Sequence, residues 1–138
     1  MSDNLGVFRW EDPHYAWIKF HKTITEDQAR FLMQQTVDRS IQLPFVLMTV
    51  DITDMTGATP ESRRVSAQIM EQMPPRAIAV IGGSFAQRMV CKLVLKATEI
   101  LSGGRQTSSF FKDESQAREW LDSQGEMFLA DSAKAGSA

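Results

Sequence analysis

Pro44-Phe45-Val46-Leu47-Met48-Thr49-Val50-Asp51 is the stretch that decides how this chain folds. From Phe45 to Val50 it is almost wholly apolar and lacks the alternation of a strand with one wet face, so it reads as a strand covered on both sides. Asp51 ends the apolar run. The residues that follow, Ile52-Thr53-Asp54-Met55-Thr56-Gly57, then emerge in a loop at the strand's carboxyl edge, where open α/β sheets hold ligands and contact surfaces.

On the amino side, Val7-Phe8-Arg9-Trp10 and Tyr15-Ala16-Trp17-Ile18-Lys19-Phe20 are aromatic-rich runs with partial alternation, separated by the turn pair Asp12-Pro13. They predict an antiparallel hairpin whose tryptophans serve the core. Thr25-Glu26-Asp27-Gln28 has the form of a capping box. The helix it opens carries Ala29, Leu32, Met33, Thr36, Val37 and Ile41 on one stripe, and Pro44 prevents its continuation.

On the carboxyl side, Thr59-Pro60-Glu61 supplies an N-cap, an N1 proline and a first-turn acid. Val65, Ile69 and Met73 recur every four residues until Pro74-Pro75 ends that helix. Ala77-Ile78-Ala79-Val80-Ile81 is a second buried strand, closed by Gly82-Gly83. Ser84-Phe85-Ala86-Gln87 is another capping box, opening what reads as the longest and most apolar helix, with Met89, Val90, Leu93, Val94, Ile100 and Leu101 covering a wide face. Gly103-Gly104 stops it. Thr107 to Phe111 is a less apolar strand, expected nearer an edge, and Asp113 caps a helix bearing Ala117, Trp120 and Leu121 that Gly125 terminates.

These elements predict an α/β fold of order β-β-α-β-α-β-α-β-α, a mixed sheet of about five strands with covering helices. One domain spans 1–125, and 126–138 is a tail expected to fray.

Composition narrows the function classes. The chain has 138 residues, 43% hydrophobic and 23% charged, with a formal net charge of −2, which offers no bulk attraction to nucleic acid. The single cysteine, Cys91, cannot form an internal disulfide, and Met1 to Asn4 lack the character of a signal peptide, so a cytoplasmic location is expected. Arg88, Lys92 and Lys96 interrupt the longest apolar run, so no transmembrane segment is expected. His14 and His21 stand apart from any metal-ligand spacing, which predicts no metal and no cofactor.

The hairpin and first helix, then Val50-Asp51-Ile52-Thr53-Asp54-Met55-Thr56-Gly57, then Ile78-Ala79-Val80-Ile81-Gly82, and finally Phe110-Phe111-Lys112-Asp113-Glu114 with Ala117 and Trp120-Leu121 resemble the SpoIIAA-like family of STAS/SEC14-type domains over about residues 7 to 125. The resemblance implies a sheet with packed helices and a non-enzymatic role, binding either a partner protein in a signalling complex or an apolar ligand. Anti-sigma-factor antagonists of the wider STAS group carry Asp-Ser-Ser-Gly or Asp-Ser-Thr-Gly after the corresponding strand and are phosphorylated on the first hydroxyl residue. The matching tetrad here is Asp54-Met55-Thr56-Gly57, with Met55 at the acceptor position. Thr56, or Thr53, is then the candidate phosphoacceptor, and Arg63 or Arg64 would answer the added charge.

Two site candidates follow. One is the polar segment bearing Asp51, Thr53, Asp54, Thr56, Arg63 and Arg64. Those residues equally read as satisfying backbone groups in a tight loop. The other is Gly82-Gly83-Ser84, glycines before a helix amino end, which suit an anion or ligand contact or simply a capped strand-to-helix turn. Both are expected at one edge of the sheet. No nucleophile and base pair stands out, and a hydrolase built on Asp51, Asp54 and Ser84 is the only enzymatic alternative. Eight methionines and the broad apolar face from Phe85 to Leu101 favour a carrier of a lipid or other apolar molecule in a cavity between that helix and the sheet. Surplus apolar surface also allows a homodimer through the aromatic hairpin.

Overall fold

The chain runs β1 (Val7–Glu11), β2 (Tyr15–Ile24), α1 (Glu26–Ser40), β3 (Val46–Ala58), α2 (Pro60–Met70), β4 (Arg76–Ile81), α3 (Phe85–Leu101), β5 (Gln106–Phe111) and α4 (Glu114–Gly136). This is a computed structural model describing residues 5–136. Residues 1–4, on which the leader reading rests, and residues 137–138 of the expected tail lie outside the described residues. The sheet has the order β1-β2-β3-β4-β5, with β1 antiparallel to β2 and every other neighbour parallel, as the element order predicts. The fold is thus the expected five-stranded mixed sheet, with β3 at its centre.

Residues 46 to 50 are all buried, and their side chains serve two cores. Val46, Met48 and Val50 join Ala16, Ile18, Ile78 and Val80 beneath α1, α2 and α3. Phe45 and Leu47 face the other way, with Ala77, Ala79 and Ile81, beneath Ala117 and Leu121 of α4. Burying each large side chain contributes about 2 kcal/mol. The first layer therefore has three helices and the second has one.

Four expectations need correction. The polar stretch after Val50 is strand, not loop, because β2 runs beside it to Ile24 and pairs His21 with Asp54, Thr23 with Gly57 and Ile24 with Ala58 through two register irregularities. Gly125 does not end α4. A Cβ there would stand 3.2 Å from Leu47 Cδ1, so glycine lets the helix cross the sheet closely. The helix continues because Phe128 stacks on Phe45 at 5.1 Å, which in turn stacks on His14 at 4.0 Å. Residues 126 to 136 are helix, with Phe128 packed on the sheet, where a frayed tail was expected.

The third correction concerns α3, which has 17 residues against 23 in α4 and does not cover a wide face. Only Leu95 and Thr98 are fully buried, while Phe85, Leu93 and Ile100 are 79%, 65% and 72% exposed. The last concerns the capping boxes. Thr25 and Ser84 accept the backbone N–H groups of Gln28 and Gln87 as expected. The glutamine side chains reach elsewhere: Gln28 Nε2 donates to His21 O at 3.0 Å while its Oε1 accepts from His21 N at 2.7 Å, tying α1 to β2.

Candidate functional site

The carboxyl half of β3 alternates between the core and solvent. Ile52 and Met55 are buried, whereas Thr53, Asp54 and Thr56 are exposed. Asp51 Oδ1 accepts from Thr53 N at 2.9 Å and from Thr53 Oγ1 at 2.6 Å, so this pair closes a local turn of hydrogen bonds. Asp54 meets Lys19 at 3.4 Å, an exposed pair of small energetic weight. Thr56 Oγ1 lies 3.2 Å from Thr23 Oγ1, and Gln87 Nε2 donates to the Thr56 carbonyl at 2.9 Å, linking α3 to the strand. Arg63 and Arg64 sit exposed on the first turns of α2 and form no ion pair among the described residues.

The second candidate does adjoin the first. Gly82 and Gly83 have φ of 77° and 80°. A Cβ at Gly82 would strike Thr53 Oγ1, and one at Gly83 would stand 2.6 Å from Ile52 Cδ1. Glycine is required at both for backbone shape and for the close passage of β3. Ser84 spends its hydroxyl on the Gln87 N–H, and the Gly82 carbonyl accepts from Arg88 Nε at 3.1 Å. The turn is built from within. Asp51 and Asp54 do not join Ser84 in any hydrogen-bonded group.

Behind this rim lies a different feature. A cavity of about 80 Å³ opens among β2, β3, β4 and the three helices above them, lined by Met33, Met48, Met55, Met70 and Cys91 with Arg63 at its border. Its wall is almost entirely apolar. Met55 lines it and meets Cys91 Sγ at 3.8 Å. Burial pushes the Cys91 thiol up to about 11, so it stays protonated and inert at neutral pH. Among the described residues no group of His, Cys, Asp and Glu side chains is placed to hold a metal ion, and no helix is long and apolar enough to cross a membrane.

The carrier reading turns on a cavity between the helix now labelled α3 and the sheet, and the sequence alone neither establishes that cavity nor singles out its lining. The missed residues are Met33, Met48, Met55 and Met70, which come from three separate elements, α1, β3 and α2, and share no common spacing. The one signal available was Met55, an apolar residue within the otherwise polar run Thr53 to Thr56, which marks a side chain turned inward.

A family model described as SpoIIAA-like matches residues 15–122. Among solved structures, an uncharacterized protein of the DUF3478 family from Shewanella loihica PV-4, with a SpoIIAA-like fold, superposes with a TM-score of 0.60 at 20% identity, over 88% of this chain and 98% of that one. No curated protein matches. The family match spans most of the chain and both sheet faces, from Tyr15 through Asp122, and the chain belongs to the SpoIIAA-like family.

Proposed function

We propose that this domain binds an apolar small molecule or a lipid chain in the methionine-lined cavity, holding the ligand without transforming it. The observation that carries this is the wall itself, four thioethers and a neutral thiol with a single cation, Arg63, at the border. At about 80 Å³ the space is smaller than the roughly 150 Å³ cavity that takes up benzene, so an alkyl chain enters only if side chains give way. Methionine is unbranched and rearranges at low cost. Arg63 suits an anionic head group left at the mouth.

Native mass spectrometry of the purified protein, paired with titration of a fluorescent fatty acid, tests this reading. The expected result is a releasable adduct, or saturable binding abolished by Met55→Trp, which fills the space. A clean mass together with no binding of the probe would refute it.

A second reading, a regulatory domain that docks on a partner protein, is favoured by the exposure of Thr53, Asp54 and Thr56 on the carboxyl half of β3 and of Arg64 on α2. Thr56, unlike Met55, is accessible to a kinase. Charge reversal at Arg63 and Arg64 that leaves every specific partner bound would count against that surface.

A further inference from the structure

We propose that β5 is a self-pairing edge, through which two copies of this chain join their sheets about a twofold axis. The two sheet margins are built differently. At one margin, β1 has five residues and carries Arg9 and Glu11, charges that discourage edge pairing. At the other, Gln106-Thr107-Ser108-Ser109-Phe110-Phe111 contains no charge, no proline and no bulge, and its last five residues are all partly exposed. Nothing guards this strand.

The register follows from the hydrogen bonds already made. Arg76 N donates to Arg105 O at 2.8 Å, and in a parallel ladder this turns the main-chain groups of alternate residues, Gln106, Ser108 and Phe110, away from β4. The Gln106 N–H is taken by Ser102 Oγ at 3.2 Å. Ser108 and Phe110 therefore hold the free amides and carbonyls. Antiparallel pairing that uses both residues sets Ser108 against Phe110 of the second copy, and the axis then passes through Ser109.

The neighbouring surface is complementary to itself about the same axis. A groove beside Ser108, Ser109 and Phe110 is bordered by Lys92, Lys96 and Glu99 of α3, so the middle of that helical segment lies level with Ser109. Packed on β3 and β5, α3 lies above β4, and three strand spacings put the two α3 helices about 14 Å apart and antiparallel. Lys92 of each copy then faces Glu99 of the other across a span that long side chains bridge. Two Lys92–Glu99 pairs outweigh the single approach of Lys96 to its symmetry mate, and this match beside an uncharged strand selects a second copy as the occupant in place of a neutral peptide.

Sedimentation velocity over a wide concentration range, with cysteine cross-linking, tests the assembly. The wild-type chain is expected to dimerise. Ser108→Pro, whose lost N–H faces outward, is expected to leave a folded monomer by circular dichroism. Lys92→Glu is expected to weaken the dimer, and adding Glu99→Lys to restore it. Ser109→Cys is expected to form an intermolecular disulfide under mild oxidation, since directly opposed residues of a non-hydrogen-bonded pair lie about 4.5 Å apart. Thr107→Cys, about 14 Å from its symmetry mate, is expected to stay reduced. A wild-type monomer at all concentrations overturns the proposal, as does a dimer that survives Ser108→Pro or cross-links at 107 and not at 109.

Discussion

Arg76 is 1% exposed and has no carboxylate partner among the described residues, which makes its hydrogen bonds a sensitive place to perturb. Its Nε donates to Gln106 Oε1 at 2.8 Å, its Nη1 reaches Met73 O only at 3.5 Å, and Gln106 Nε2 goes on to Thr98 Oγ1 at 2.8 Å and Leu95 O at 3.1 Å. Burial, with Arg105 nearby, pushes the Arg76 guanidinium down to about 10, so it remains charged at neutral pH. Gln106→Met keeps the volume but removes the acceptor. Thr98 Oγ1 still donates to Leu95 O at 3.0 Å, so the loss falls mainly on Arg76, and an unsatisfied buried cation costs about 3 kcal/mol. That corresponds to roughly 12 °C in Tm for a domain of this size.

Arg76→Met has the opposite balance. It leaves one neutral acceptor short, at about 1 kcal/mol, but removes a buried charge whose desolvation costs a comparable amount or more. Its net effect is expected within about 1 kcal/mol of zero. In the Arg76→Met background, Gln106→Met is expected to cost under about 1 kcal/mol, giving a coupling of about 2 kcal/mol. Urea unfolding followed by circular dichroism measures all four states. Equal losses from the two single substitutions, or a Gln106→Met protein as stable as wild type, would refute the reasoning.

Two further outcomes are expected. Truncation after Gly125 removes the Phe128 stack on Phe45 and should lower stability by about 2 kcal/mol, read as an earlier urea midpoint, whereas an unchanged midpoint would mean that this segment contributes nothing. Cys91 should resist a charged disulfide reagent at pH 8 until the chain unfolds; because its folded pKa of about 11 lies above the ordinary 9.0, stability should fall as pH rises between those values, where only the unfolded thiol ionises, and Cys91→Ala should flatten that slope.

The order of elements and the central position of β3 were legible because buried strands, capping residues and proline stops act locally. Pro44, Thr59-Pro60 and Ser84 leave their marks within a few residues. What was not legible depends on company supplied by distant parts of the chain. The polar residues 53 to 58 look like a loop until β2 is laid beside them, and Gly125 looks like a stop until Leu47 and Phe45 require a helix to pass close above. The apolar stripe of α3 reads as core in isolation, but how much of it the sheet and the other helices cover is set only when they assemble. Gly82 and Gly83 do lie against Thr53 and Ile52, while the cavity lining came from Met33, Met48, Met55 and Met70, a set assembled only by folding.

The division of labour between the two faces has a consequence for synthesis. The helix that covers Phe45, Leu47, Ala77, Ala79 and Ile81 is α4, which follows all five strands in the chain. The three-helix face can close while translation is still under way, but the opposite face stays bare until Ala117, Leu121 and Phe128 have left the ribosome. A nascent chain paused before that point presents a ready-made greasy sheet, so the interval just ahead of α4 is where this protein has most need of a chaperone.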